Sequence, residues 1–271
     1  VQLGSVLARG GRQRGSALSR RGGQMLIAAE VALAVILVAG AGLMIRSFMR
    51  ISAVDLGFNA RGLVILEALP LDRNPGAHQQ FYTTLLQQLR TLPGMASVGI
   101  VDNFQLGGGT SFSFYTAGSM ADGSTTFEIT PGYFETIGAL LKSGRLPTDA
   151  DFAAGFRGAV INETAAKTFF DGLALGRELT RSGPDKTPWT VIGVIADLKH
   201  GGPLSTRQES QIFLPLQISE YDLNTAMMVV MRPSGAIPGL PDQLRKVAQG
   251  IGPRVLVERI RTSEELFGER V

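Results

Sequence analysis

The side chains that could do chemistry in this 271-residue chain are few and scattered. It has no cysteine, which removes thiol nucleophiles, disulfides and cysteine-based zinc sites together. Its two histidines, His78 and His200, lie far apart in sequence, so no histidine metal cluster is expected and both read as surface residues. Asp149 with Asp151, and Asp197, stand near turn signals, where carboxylates cap helices and turns more readily than they pair for acid–base work. The run Gly107-Gly-Gly109 invites a phosphate-loop reading but lacks the Lys-Ser/Thr ending, so it reads as a turn. No Gly-x-Ser-x-Gly elbow occurs. Asn162-Glu-Thr164 is formally a glycosylation sequon. The sequence therefore assigns no catalytic, cofactor-binding or metal-binding residue, and no cofactor.

One carboxylate stands out by its surroundings. Glu30 interrupts the otherwise apolar run Met25–Ile45, which as a helix at 1.5 Å per residue spans about 31 Å, the thickness of a bilayer core. Few soluble helices are apolar on every face for five turns, so residues 25–48 are expected to cross a membrane. An intramembrane carboxylate is by default functional, but Glu30 sits close to one end, where snorkelling lowers its cost. It reads either as a helix–helix contact or as a tolerated interfacial charge. Gly40 and Gly42 offer a smooth face for a neighbouring helix. Glu30, Gly40 and Gly42 are thus the helix-packing candidates.

Charge sets the direction. Residues 1–50 hold seven arginines and one acid, within a chain of net charge +3, so the remainder is net acidic. Five of those arginines precede the span, and positive-inside bias puts the arm of residues 1–24 in the cytoplasm and the main domain across the membrane. A cleaved signal peptide is the weaker reading, since its apolar core is shorter. A folded part without net positive charge gives no reason to expect nucleic acid as a partner.

Beyond the span, Leu63–Leu69 reads as a buried strand, and Asn74-Pro75 opens a helix with Phe81, Tyr82, Leu85, Leu86 and Leu89 at helical spacing. Ala96–Val101 is the next strand. A second β-α-β plan returns with Ala226–Met231, a helix marked by Leu240, Leu244 and Ala248, and Val255–Ile260. Two such units around a long insertion predict a split ferredoxin-like sheet with helices on one face. The insertion is expected to be mostly β, with short helices at Thr130-Pro131 and Glu163–Phe170, the latter capped by Asn162. Tyr133 and Phe134 are expected in its core.

Several stretches together resemble one family. Ala29-Glu-Val-Ala-Leu-Ala34, Gly40-Ala-Gly-Leu-Met-Ile-Arg-Ser-Phe48 and Asp55-Leu-Gly-Phe58 are similar to the first helix of MacB/FtsX-type ABC transporter permeases, above all the duplicated orphan permeases of Acidobacteria. Thr130-Pro-Gly-Tyr-Phe134, Ser143-Gly-Arg145, Val160-Ile-Asn-Glu163, Val191-Ile-Gly-Val-Ile-Ala-Asp197 and Ile212-Phe-Leu-Pro-Leu216 continue the likeness.

The resemblance implies an α+β chain: a single N-terminal transmembrane helix, then a two-lobed periplasmic domain. A porter-like lobe (60–106 and 223–262) would be split around a sabre-like lobe (107–222), with 263–271 leading to a further helix. It implies a non-catalytic, inner-membrane permease subunit or fragment that relays ATPase-driven helix motion to the periplasm. A separate cytoplasmic ATPase, a second permease half or a homodimer, and a periplasmic protein are the implied partners. Family permeases carry further membrane helices, so a fragment of a longer permease or a truncated gene is expected. A single-pass extracytoplasmic sensor or binding module is the rival, and a pocket of convergent polar groups would favour it.

Overall fold

The computed structural model describes residues 17–52, 56–104, 110–116, 119–182, 186–199, 209–252 and 254–268. The chain divides into two units, one ending at Val54 and one starting at Asp55. Helix α1 (Ala17–Ser52) makes the first. It begins inside the expected basic arm, so residues 17–24 continue the helix. Its stretch Gly23–Arg46 has a mean hydropathy of 2.4 and none of it is buried. Leu26, Val35, Leu37, Val38 and Met44 point outward on different faces. Among the described residues this is the one helix long and apolar enough to cross a membrane.

The second unit opens with β1 (Val64–Pro70), α2 (Pro75–Arg90) and β2 (Met95–Val101). An insertion follows, first as β3 (Thr110–Thr116), β4 (Ser119–Ile129), α3 (Tyr133–Ile137), β5 (Leu141–Gly144) and α4 (Asp149–Ala153). It continues as β6 (Gly158–Asn162), α5 (Glu163–Phe170), β7 (Glu178–Arg181), β8 (Trp189–Ile195) and β9 (Ser210–Pro215). After a 3-10 turn at Glu220–Asn224 the chain returns as β10 (Met227–Pro233), α6 (Leu240–Ile251), β11 (Val255–Thr262) and α7 (Ser263–Gly268).

The outer elements form the expected split sheet, in the order β11-β1-β10-β2 with every neighbour antiparallel. Local chemistry starts α2 where expected: the Asn74 side chain accepts from the Gly76 amide at 2.8 Å and Pro75 occupies the first turn. Strand alternation then sorts the core. Leu66, Ala68, Val98, Ile100, Val229 and Met231 face α2 and α6, meeting Phe81, Leu85, Leu89, Leu240 and Leu244. Leu63, Ile65, Val101 and Val230 face the other way.

Inside the insertion the strands close on themselves. β4 pairs with β3, β3 with β7, β7 with β8, β8 with β6, β6 with β9, and β9 with β4. A ring leaves these six strands without a free edge, which matters for an insertion that must not pair with other chains. β5 is attached outside it, on β8.

Two expectations need correction. Tyr133 and Phe134 are buried, but not in a core of the insertion alone. Their cluster joins Phe127, Ile129 and Phe213 of the ring to Leu63, Ile65, Val101 and Val230 of the split sheet. The cause is Gly99: a Cβ there would meet the Tyr133 backbone at 2.3 Å, so only glycine lets α3 lie this close on β2. His78 is fully buried rather than on the surface. It occupies the first turn of α2, where its Nε2 lies 2.8 Å from the Asp72 carbonyl and its ring meets Tyr82 edge-on. An imidazole with one nitrogen bonded to a carbonyl serves as an aromatic core residue. His200 and Gly107–Gly109 lie outside the described residues.

Candidate functional site

A dense set of bonds gathers in the second unit where its chain comes in and goes out. Residues 56–63 arrive four residues after α1 ends. The motif Leu56-Gly-Phe58 docks first: the Lys199 amide donates to the Leu56 carbonyl at 2.9 Å, and Phe58 meets Phe104 edge-on at 5.8 Å. Gly57 has φ +75° and a Cβ would stand 2.1 Å from the Asp197 carbonyl oxygen, so both conformation and space demand glycine. Asn59 then donates its amide to the Ile137 carbonyl at 2.8 Å, at the end of α3. Its side-chain oxygen accepts from the Arg61 amide at 3.2 Å and turns the chain toward β1.

Arg232, near the end of β10, spans this corner. Its Nε donates to the Thr136 carbonyl at 2.8 Å, Nη1 to Arg61 at 2.8 Å and Nη2 to Asn59 at 2.5 Å. A planar fork of donors suits three carbonyls held in fixed directions. All three acceptors are neutral main-chain groups, and burial lowers the pKa of this guanidinium from its ordinary value.

The outgoing chain closes the corner from the other side. Ser263 donates its amide to the Leu63 carbonyl at 3.0 Å and its hydroxyl to the Ala60 carbonyl. Glu264 accepts from the Gly62 amide at 3.0 Å. Burial pushes its carboxyl upward, but that amide, its own amide and Ser263, with Arg61 nearby, together hold it below the usual range. One sheet position further in, Glu67 of β1 and Arg261 of β11 form an ion pair whose side chains are only 9% and 13% exposed. The incoming segment, α3, β10 and the outgoing turn are therefore one clasp. Its bonds tie residues 56–63 to α3 and to the split sheet.

The carboxylates singled out in the sequence serve as caps or as an arginine's partner. Asp151 closes a reciprocal capping box with Thr148 at the start of α4 and takes both terminal nitrogens of Arg145 at 2.6 and 2.9 Å. Arg145, and then Thr148, hold its carboxyl well below the ordinary carboxylate range. Asp149 pairs with Arg90 at 3.0 Å. Asp197 accepts from the amide and hydroxyl of Thr164 at 2.9 and 2.7 Å, in the first turn of α5. Asn162 is buried, accepting from Ala165 and Gln211 and donating to Glu209, so its sequon offers no free amide.

Glu30, Gly40 and Gly42 lie on α1, and a Cβ at either glycine would meet nothing within 4 Å. Sequence reading missed Arg232, Ser263 and Glu264, which have no motif of their own.

Two adjoining grooves of about 510 and about 380 Å³ run along α2, sharing Gln79, Phe152 and Leu216. Their polar lining is largely spent on itself. Arg90 holds Asp149 and the Pro131 carbonyl, and Gln79 accepts from the Ile218 amide. No group of three His, Asp or Glu residues among those described could hold a metal ion.

Comparison with known proteins agrees with this architecture. The model of the MacB-like periplasmic core domain matches residues 28–247. The periplasmic region of MacB from Actinobacillus actinomycetemcomitans superposes with a TM-score of 0.53 at 16% identity, covering 79% of this chain and 94% of that one. The extracellular domain of the noncanonic ABC-type transporter YknZ from Gram-positive bacteria gives 0.45 at 19% identity, covering 73% and 100%. No curated protein matches.

Proposed function

Since this chain belongs to the MacB-like periplasmic core domain family, we propose that it is a non-catalytic permease-like subunit, or part of one, that relays ATPase-driven helix motion to a periplasmic domain. In this reading α1 is the moving input, with its arginine-rich N-terminal side in the cytoplasm, and the unit from Asp55 is the output. Residues 60–106 and 223–262 act as the porter-like lobe, and 107–222 as the sabre-like lobe. Glu30, Gly40 and Gly42 face neighbouring helices of the assembly. A separate cytoplasmic ATPase supplies the stroke, and a second permease half stands alongside.

The observation that carries the relay is the reach of Arg232 across Asn59, Arg61 and Thr136. A domain that merely hung from its anchor would need only a linker at this point. Here the first described residues beyond the helix, from Leu56 on, are bonded into the sheet and into α3, so a pull that reaches them is passed to both.

The test is biochemical. The polypeptide carrying this chain is co-expressed with a candidate cytoplasmic ATP-binding subunit and purified through the permease in detergent. Stable co-purification, with an ATPase rate that depends on the permease, is the expected result. A chain that binds no ATPase and instead answers a small ligand in the α2 groove would be a single-pass sensor.

A further inference from the structure

The two helices that cover the split sheet meet solvent with different chemistry. The outward positions of α6 include Asp242, Arg245 and Lys246, with Asp242 and Arg245 paired at 3.1 Å. That is the charged back expected of a solvated helix. Along α2 the one formal charge is Arg90, in the last turn and spent on Asp149 and the Pro131 carbonyl. The back of α2 is built instead from neutral doublets four residues apart: Gln79-Gln80, Thr83-Thr84 and Gln87-Gln88. Depletion of charge from an exposed face is the compositional mark of an interface core.

The doublets also have a symmetry. At about 100° per residue, Gln80, Thr83, Thr84 and Gln87 fall within about 50° of one line along the helix, with Gln79 and Gln88 to either side. The pattern reads the same from both ends, about a midpoint between Thr83 and Thr84. A groove of about 510 Å³ follows this ridge on the side of Gln79, Thr83 and Gln87, and one of about 580 Å³ on the side of Gln80, Thr84 and Gln88. The Thr83 and Thr84 hydroxyls donate to the Gln79 and Gln80 carbonyls at 2.8 and 2.9 Å, which folds them back onto the helix. Gln79 accepts from the Ile218 amide at 3.2 Å. The carboxamides of Gln80, Gln87 and Gln88 bond to nothing among the described residues. The ridge therefore carries unspent donors and acceptors together.

We propose that the back of α2 is a self-docking surface: a second copy of this chain lays its own α2 across it, antiparallel, about a two-fold axis passing between Thr83 and Thr84. That operation sets Gln80 of each copy against Gln87 of the other. It also brings the two threonine doublets together, where short side chains let the helices close to the about 8–10 Å of ordinary packing. A carboxamide donates and accepts at once, so each pair is satisfied by its own kind. An unrelated partner would have to supply the same neutral ladder in reverse, whereas a copy already has it, as isologous contacts require. With few apolar groups the contact is weak in free solution. Two chains anchored in one membrane meet at high effective concentration, so there it can close and reopen. The inference rests on the proposed pairing of permease halves, with a second copy as the other half, and names the surface they share.

The chain has no cysteine, so single introduced ones report contacts cleanly, and Gln80, Thr83 and Gln87 are all exposed. The full chain is reconstituted in liposomes and treated with a short bis-maleimide. Thr83→Cys, beside the axis, should crosslink to its own kind. Gln87→Cys should do so poorly, since its two copies stand about 10 Å apart along the helix direction alone, but should crosslink to a differently tagged Gln80→Cys chain. Adding Gln80→Lys/Gln87→Lys opposes like charges and should abolish the Thr83→Cys crosslink. Adding Gln80→Glu/Gln87→Lys pairs opposite ones and should keep it while making it salt-sensitive, which the native neutral contact is not. Pairing itself is read separately, from energy transfer between differently dyed Lys246→Cys chains. Transfer without a Thr83→Cys crosslink, or a crosslink unmoved by Gln80→Lys/Gln87→Lys, overturns the α2 contact and leaves the pairing standing. Absence of both transfer and crosslink overturns both. A Thr83→Cys site shielded from maleimide in spheroplasts but open in liposomes gives this face to another protein, and overturns the proposal too.

Discussion

The clasp at residues 56–63 and the contact of β2 with β4 at Val101–Ile129 lie in the same folded unit and are built differently. At the clasp, one arginine, one serine and one glutamate convert main-chain groups of three elements into a single body. At the β2–β4 contact, one registered strand pair among the described residues and a few amide bonds are reinforced by the core that Tyr133 and Phe134 share with both sheets, and the Asp102 and Glu128 carboxyls are buried beside it. The clasp tolerates no adjustment, since glycine is required at 57 on both conformational and steric grounds. In the proposed relay the clasp is the stiff point at which motion would enter, and the β2–β4 contact is where protonation changes the stability of the unit.

The comparison can be broken first at its stiffest point. Gly99→Ala drives a methyl group into the Tyr133 backbone, and Gly57→Ala does the same against Asp197. Each should cost about 3 kcal/mol or more, with strain at positive φ added for Gly57, measured by thermal unfolding of the detergent-solubilised chain. Arg232→Ala leaves three carbonyls without their donor and should cost about 2 to 3 kcal/mol, with Arg232→Lys recovering less than half because a single ammonium cannot span the three directions.

The β2–β4 contact is sharpened by pH. Asp102 and Glu128 bind protons more tightly in the folded state than in the unfolded chain. Their contribution is therefore complete below about pH 4, falls as pH rises toward 7 and is flat beyond. The loss should be about 2 kcal/mol once shared titration and partial exposure are allowed for. Asp151 has the opposite sign: its depressed carboxyl contributes stability above the ordinary carboxylate range that is lost as pH falls further. Unfolding midpoints across the range should show a maximum in the acid region that shifts upward in pH in the Asp102→Asn/Glu128→Gln variant. The smallest effect lies away from both regions: Thr148→Ala removes the cap of α4 and should cost about 1 kcal/mol without altering the pH profile between 4 and 7.

Much of this architecture was legible from local pattern. The spacing of Phe81, Tyr82, Leu85 and Leu89 gave α2, Asn74-Pro75 gave its start, and Asn162 gave the cap of α5 over Glu163–Phe170, because caps and helical faces are written within a few residues. The two β-α-β units were visible for the same reason. What could not be read depends on partners far along the chain. β5 and β7 are four residues each and carry no full period. Nothing near Gly99 says that α3 will lie on it. His78 looks like a solvated polar residue until Asp72 and Tyr82 are brought around it. Arg232 ends an apolar strand as an arginine at a sheet margin commonly does, and its three acceptors come from segments 96 to 173 residues away.

The relay itself is tested most directly by the height of the folded unit above the bilayer. A donor dye on Lys246→Cys and acceptor lipids in the nanodisc report it while the reconstituted ATPase turns over. The account predicts that ATP changes the transfer efficiency in the wild-type chain, and that Arg232→Ala abolishes the change while ATP is still hydrolysed. An unchanged efficiency in the wild type during hydrolysis, or a full-sized change in Arg232→Ala, would contradict it.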